Sequence, residues 1–366
     1  MDNLKLVIVL CRHGDRTPLQ TYPNNPHTPD IYQHLGPGEL TNLGKKRMFE
    51  VGKKLRKRYE KFLSDTYTPE KVKVITTNIN RTKMTAQLVC AGLFPPSCKE
   101  KWDNILNWQP IPYSYSSLSH NMLVSPIHGC ESFRQLYREV EKSQYGQEIY
   151  QKFDSIFRYL EEKSGISPFR IMNAFHLYMV LTAEESFGLV LPEWTKEVFP
   201  EPLNEIACYQ YLLQNYNLSM KQKTTGKALV SGSIDSSVSG SMKDIIVNII
   251  KYYSLITGAF LSELINDFDK KINNESKLKF ILYSAHECSI ANLLIILNLF
   301  DLKVPNYGSY VALELREHNN EHFIQIYYQN SENEEPKLLK IPEFDESCRY
   351  DLFKTYLSKY IIKSCL

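Results

Sequence analysis

Apolar and polar residues alternate along this chain with two periods, and the change between them marks its elements. Leu4 to Leu10 is an apolar run, interrupted only by Lys5, with Val and Ile inside it, the pattern of a strand buried on both faces of a parallel sheet. It stops at Arg12-His13-Gly14-Asp15-Arg16-Thr17-Pro18, and a loop rich in Pro, Asn and His follows to about Gly38. Leu40, Leu43, Met48, Val51, Leu55, Tyr59 and Phe62 then recur mostly at helical steps, which predicts an amphipathic helix with a Lys/Arg outer face. Val72, Val74 and Thr76 predict a second short strand. Asn80 suits the N-cap of a helix from about Arg81 to Ala91, with Gly92 and Pro95-Pro96 as its stop.

From about Cys130 to Lys227 strand signals fade, and segments 131–163, 170–189 and 204–219 read as helices. Ser231 to Met242 is Ser- and Gly-rich and reads as a loop into a helix carrying Ile245, Ile246, Ile249 and Ile250. Phe280 to Tyr283 is a third apolar strand, ending at Ser284-Ala285-His286-Glu287. Helical spacing resumes at Ile290, Leu293, Leu294 and Leu297. Tyr310–Leu315 and Phe323–Tyr328 predict an antiparallel hairpin around Asn319-Asn320, with a further strand at Leu338–Ile341. The expected fold is α/β: a mostly parallel central sheet flanked by helices, formed by 1–129 and 229–366, with a smaller helical cap inserted at 130–228.

Composition narrows the function. In 366 residues, 43 Lys and Arg oppose 41 Asp and Glu, leaving a net charge of +2. Nucleic-acid binding is not expected, because capture of a phosphate backbone needs a clear basic excess. The basic run Lys53 to Arg58 reads as a solvated helix face. No apolar run approaches the ~18 residues of a membrane span, and Leu4–Leu10 is too short, and lacks a basic flank, for a signal peptide. The eight cysteines are scattered and form no CxxC pair, which argues against a zinc ribbon. Cys11 and Cys90 sit in apolar runs as core residues. Cys130 and Cys365, in polar turn-like surroundings, are better disulfide candidates.

The chemistry gathers where strands end. Three buried strands lead into polar clusters, Arg12-His13-Arg16, Arg81 and His286-Glu287. Ligands of open α/β sheets bind outside the carboxyl ends of the strands. An Arg-His pair after one strand is often only a surface loop; if the three strands are neighbours, their clusters bring three arginines and two histidines into one pocket. Buried guanidinium groups demand a counter-anion, and their planar fork matches phosphate oxygens. A histidine within such a site can act as nucleophile, and a carboxylate beside the other as proton donor.

These residues also carry a resemblance. Arg12 to Pro18 resembles the RHGxRxP signature of the histidine acid phosphatases, branch two of the histidine phosphatase superfamily. Gly38-Glu39-Leu40-Thr41-Asn42-Leu43-Gly44 resembles the family's GxLTxxG helix start. Asn80-Arg81-Thr82 resembles its DRT, and Tyr283-Ser284-Ala285-His286 its YSAH. Leu93-Phe94-Pro95-Pro96 and Trp108-Gln109-Pro110-Ile111-Pro112 are similar to the animal prostatic, lysosomal and venom type. The resemblance implies an acid phosphatase that hydrolyses small phosphate monoesters without metal or cofactor. His13 would be the nucleophile that becomes phosphohistidine; Arg12, Arg16, Arg81 and His286 would bind the phosphoryl oxygens; Glu287 would be the proton donor. Asp15, the loop Thr17–Gln20 and the cap would set substrate choice. It further implies a Cys130–Cys365 disulfide with Cys348 left free, a homodimer, and a secreted or lysosomal setting, the alternative being a cytoplasmic form. Sequons at Asn217 and Asn274 fit that setting, whereas a glycan on Asn80, formally a third, would block the pocket.

The sequence departs from the family in two places. Glu287 stands where the family's pattern has Asp, and Asn78 and Asn80 where related enzymes carry Asp. His286-Glu287 does not open a zincin motif, because Ile290 occupies the second histidine position of HExxH. His128, His176 and His318 form no cluster in the sequence and read as ordinary polar residues. The narrower enzyme alternatives are an inositol-phosphate or a lysophospholipid phosphatase. A dense cationic lining, the mark of the first, is absent from the cap sequence. The alternative of another class is an inactive phosphate- or phospholigand-binding protein, which Glu287 would favour. A mutase-type transferase is disfavoured by the RTP context.

Overall fold

The computed structural model describes residues 3–115, 131–215 and 258–361. The Ser/Gly-rich loop, the helix around Ile245–Ile250, Cys130, Cys365, His128 and the Asn217 sequon lie outside these residues.

β1 (Asn3–Arg12) is fully buried from Leu6 to Cys11, which is why its sequence shows no alternation. Its two faces feed two cores. Val7, Val9 and Cys11 pack with Met48, Val51 and Leu55 of α1 (Asn42–Arg58) and Val89 and Leu93 of α2 (Asn80–Leu93). Leu6, Ile8 and Leu10 pack against a layer formed by three later helices, α8 (Ala259–Ile272), α9 (Glu287–Ile296) and α10 (Tyr350–Ser358).

The sheet is mixed. β3 (Ser114–Tyr115), β2 (Val72–Thr76), β4 (Phe280–Ala285) and β1 lie side by side and parallel. On the other side of β1 the hairpin β5 (Tyr310–His318) and β6 (Glu321–Gln329) continues antiparallel, followed by β7 (Lys337–Leu339); β8 (Cys348–Arg349) also pairs with β6. Asn319 and Asn320 take the left-handed conformation that the tight turn between β5 and β6 needs. In the register, Arg12 lies beside Ala285 and Thr76 beside Ser284. The chain segments that follow these three strands therefore leave the sheet at one edge.

Helices α3 (Glu131–Lys142), α4 (Gln144–Lys152), α5 (Asp154–Ser164), α6 (Ile171–Phe187) and α7 (Leu203–Gln214) follow β3. The single helical stretch expected over 131–163 is three helices. Ser143 breaks the first from the second, its hydroxyl capping α4 by accepting from the Gly146 amide. This layer has its own apolar core, closed by Cys288, Ala291 and Ile295 of α9.

Two local signals behave differently from expectation. Asn80 is the first residue of α2 and not its N-cap; its side-chain amide donates to Glu39 Oε1 at 3.1 Å instead. Gly92 lies inside α2 and serves the crossing with α1. A Cβ there would lie 2.3 Å from the Phe49 carbonyl oxygen, and one on Gly52 would lie 2.2 Å from that of Val89. Both obstacles are backbone, so Gly52→Ala is expected to destabilise the fold by about 1–3 kcal/mol, the range for overpacking. A lowered urea midpoint with unchanged slope checks this; an unchanged midpoint would refute so close a crossing.

The basic run of α1 is also not wholly solvated. Arg58 Nη2 donates to the buried Glu314 Oε1 at 2.9 Å, and its guanidinium lies 4.0 Å from the Tyr327 ring centre. Cys11, Cys90, Cys208 and Cys348 are buried thiols in no disulfide.

Candidate active site

At the shared edge, β1 runs straight into Arg12 and His13, both about 1% exposed. The His13 amide donates to the Ala285 carbonyl at 3.1 Å, which ties the end of β1 to the end of β4. His13 Nδ1 is 2.8 Å from the Gly14 carbonyl oxygen. A carbonyl only accepts, so Nδ1 holds the proton and Nε2 keeps its lone pair. Gly14 is pressed against α1: a Cβ there would lie 2.5 Å from the Gly44 carbonyl oxygen.

His286 follows β4 and caps α9; Arg81 stands in the first turn of α2. Both helices thus aim their positive ends at the same place. The rings of His13 and His286 meet edge to face with centroids 5.5 Å apart. His286 Nε2 is 3.1 Å from Thr77 Oγ1, which is 2.6 Å from Thr82 Oγ1. The Thr82 hydroxyl donates to the Ile79 carbonyl at 2.8 Å, so it accepts from Thr77, and Thr77 accepts from His286 Nε2–H. Thr77 is a positioning residue that carries no motif in the sequence.

Arg12 is held by Pro305, whose carbonyl accepts from Nη1 at 2.5 Å, and lies 4.0 Å from the Tyr307 ring centre. Its Nε is 3.6 Å from Glu287 Oε2. Arg16 Nη1 donates to the Thr17 carbonyl at 2.9 Å. Yet Nε of Arg12, Arg16 and Arg81 is in each case buried with no hydrogen-bond partner. Three orphaned cationic donors in one place are costly unless an anion meets them.

The electrostatics record the same excess. Burial, then the charge of Arg16, pushes Arg81 down to about 10. Burial, then Arg81 and Arg12, holds His13 well below its ordinary value. His286 falls to about 3 for the same reasons, burial first and Arg81 next. For Glu287, burial and charge oppose each other. Burial raises it, but Arg12 and His286 outweigh burial and leave it below the usual carboxylate value.

All six residues singled out in the sequence therefore come together. His13, Arg16, Arg81, His286 and Glu287 line one pocket of about 280 Å³, and Arg12 lies behind its floor. Asp15 does not join them. It turns away into a pair with Arg47, Nε to Oδ2 at 2.6 Å. The Thr17–Gln20 loop contributes Leu19 and Gln20. His176 of α6, read as an ordinary polar residue, lines the pocket. Asn78 and Asn80 point outward, Asn78 accepting from Lys83 at 2.6 Å.

His13, His286 and Glu287 place ligand atoms within 4.8 Å of one another, a spacing a metal ion could use. Three arginines around them make a dication the wrong guest on charge grounds, and a tetrahedral dianion the right one.

The sequence profile described as histidine phosphatase superfamily (branch 2) matches residues 3–164 and 243–329. Venom acid phosphatase Acph-1 of Apis mellifera is 32% identical over 349 residues, covering 94% of this chain and 82% of that protein. Prostatic acid phosphatase of Homo sapiens is 31% identical over 352 residues, covering 96% and 83%. Among solved structures, the Klebsiella sp ASR1 phytase superposes with a TM-score of 0.63 at 16% identity over 99% of this chain and 97% of that one, a likeness of fold. With a matching profile over most of its length and relatives aligned nearly end to end, the chain belongs to branch 2 of the histidine phosphatase superfamily.

Proposed function

We propose that this phosphomonoester hydrolase is an acid phosphatase that works through a phosphohistidine on His13, with Glu287 as proton donor. The observation that carries the reading is the pairing of a histidine locked by Gly14 at 2.8 Å with three arginine Nε donors that lack hydrogen-bond partners. The phosphoryl group sits among Arg12, Arg16 and Arg81, with His286 as a further donor once the dianion has returned its proton. His13 Nε2 attacks phosphorus: the P–N bond forms as the ester P–O bond breaks, and the proton of Glu287 goes to the leaving alkoxide. Water then attacks the phosphohistidine, giving its proton to Glu287 as the P–N bond breaks. The arginines stabilise the charge that builds on the equatorial oxygens in both steps.

The pH dependence follows from the shifts. His13 must be neutral to attack, and burial with the charges of Arg81 and Arg12 favours its neutral form to lower pH than an ordinary histidine. Glu287 must be protonated to donate, and the arginines hold its value low in the empty pocket. So kcat/KM falls as pH rises past the free-enzyme carboxyl. A bound dianion offsets the arginines and raises Glu287, so the basic limb of kcat lies at higher pH than that of kcat/KM. Hydrolysis of p-nitrophenyl phosphate against pH, with EDTA present, tests the proposal. Acidic activity that survives EDTA and a displaced kcat limb support it. Phosphate binding without turnover at any pH would mean a retired, binding-only site.

To this reading we add a homodimer and a secreted or lysosomal setting, both from the family resemblance. A relative named for venom fits the latter. No helix among the described residues is long and apolar enough to cross a membrane. The helical core separate from the sheet supports a cap at 130–228 between 1–129 and 229–366.

A further inference from the structure

The pocket has a charged floor and an uncharged wall. α6 is apolar nearly all round, and its two faces have different neighbours. Ala174, Leu177 and Leu181 are buried in the core of the helical layer. Met172, Phe175, His176, Met179 and Val180 recur at helical spacing and line the pocket, the four apolar ones packing against that core as well. Met179 reaches the floor, its sulfur 3.9 Å from Arg12 Nη2, while Met172 and Phe175 are only half-buried. Leu19, 52% exposed, and Ile79 face them from the opposite rim.

Among the described lining residues, the arginines and lysines are Arg16 and Arg81 alone, both committed to the floor. Outside the catalytic floor, the remaining polar groups of the lining are glutamines, His176, the Tyr211 hydroxyl and the Cys288 thiol, all uncharged or titratable only as single groups. A polyol bearing several phosphates needs a cation for each additional phosphate, and this wall offers Met and Phe in those places. The volume, about 280 Å³, is at the small end of ligand pockets, roughly 300–1,000 Å³.

Resting on the phosphatase reading above, we propose that the stripe Met172–Phe175–Met179 with Leu19 and Ile79 is a leaving-group subsite for an apolar alcohol. The preferred substrates are then monophosphates of short alkyl chains, or of a single ring, and not polyanionic phosphate esters. The chemistry is the hydrolysis already written: the apolar alcohol departs with the proton of Glu287 while its hydrocarbon stays against α6.

The test is a series of n-alkyl phosphates, ethyl, butyl and hexyl, whose leaving alcohols have nearly equal acidity, alongside glycerol 3-phosphate and inositol hexakisphosphate. Each methylene buried is worth about a three- to fourfold gain in kcat/KM, so hexyl phosphate should exceed ethyl phosphate by more than tenfold, with glycerol 3-phosphate near ethyl phosphate. Phe175→Ala should flatten that hexyl-to-ethyl ratio, which is internal to each variant and independent of how much enzyme folds. The wild-type series decides the matter alone if the variant is not recovered. A flat series in an active wild type, or faster turnover of inositol hexakisphosphate than of hexyl phosphate, overturns the subsite and leaves the phosphatase standing. Absence of turnover for every ester, p-nitrophenyl phosphate included, overturns both.

Discussion

His13→Ala is expected to lower kcat for p-nitrophenyl phosphate by roughly 10⁴-fold or more, the scale of losing a catalytic nucleophile. No neighbouring group replaces it. His286 is tied through Nε2 to Thr77, and Glu287 is drawn to Arg12. The arginines remain, so inorganic phosphate should still inhibit the variant competitively. A wild-type enzyme quenched during turnover should carry a phosphoryl label that survives alkali and is lost in acid, as a phosphohistidine is, and the variant should carry none. Turnover within tenfold of wild type would remove His13 from the mechanism.

Glu287→Gln divides the two chemical steps. For an alkyl phosphate, whose alkoxide cannot leave without a proton, the loss should be about 10²–10⁴-fold. For p-nitrophenyl phosphate the phenolate leaves unaided, so the first step survives and the second, lacking its base, becomes limiting. The expected signature is a burst of p-nitrophenol close to one per active site, followed by a slow steady state, with labelled enzyme accumulating. Equal losses for both esters and no burst would deny Glu287 the donor role. The longer side chain of glutamate, relative to the aspartate implied by the family's pattern, does not keep the carboxylate out of the site. It lies 3.6 Å from Arg12 and lines the same pocket as His13.

How much of this was readable depended on the range of the interaction. β1 and β4 announce themselves because both faces are buried, which makes Leu6–Cys11 and Phe280–Tyr283 continuously apolar. The polar clusters that follow them are conspicuous for the same reason. Asn80 and Gly92 mislead because capping and helix stopping are local signals. Glu39 claims the Asn80 side chain and α1 claims Gly92, both from distant sequence. Asp15 sits between two pocket residues yet faces Arg47, which only the placement of α1 reveals. His176 could not be recognised, since a helix apolar on every side does not say which face meets a cavity. Thr77, Pro305 and Tyr307, which hold His286 and Arg12, belong to no motif at all.

The central position of β1 has a consequence for how the molecule is made. Both of its neighbours, β4 and β5, come from residues beyond Phe280. A ribosome adding about 5–20 residues per second leaves the first strand without its partners for roughly a quarter of a minute to a minute. Throughout that interval Leu6–Cys11, an apolar strand with two open edges, must be shielded by something other than its native sheet. His13 is synthesised well ahead of β4 and β5 and so waits for the surroundings they supply. The nascent chain is therefore incapable of turnover, and most exposed to aggregation, until nearly the whole sheet has been translated.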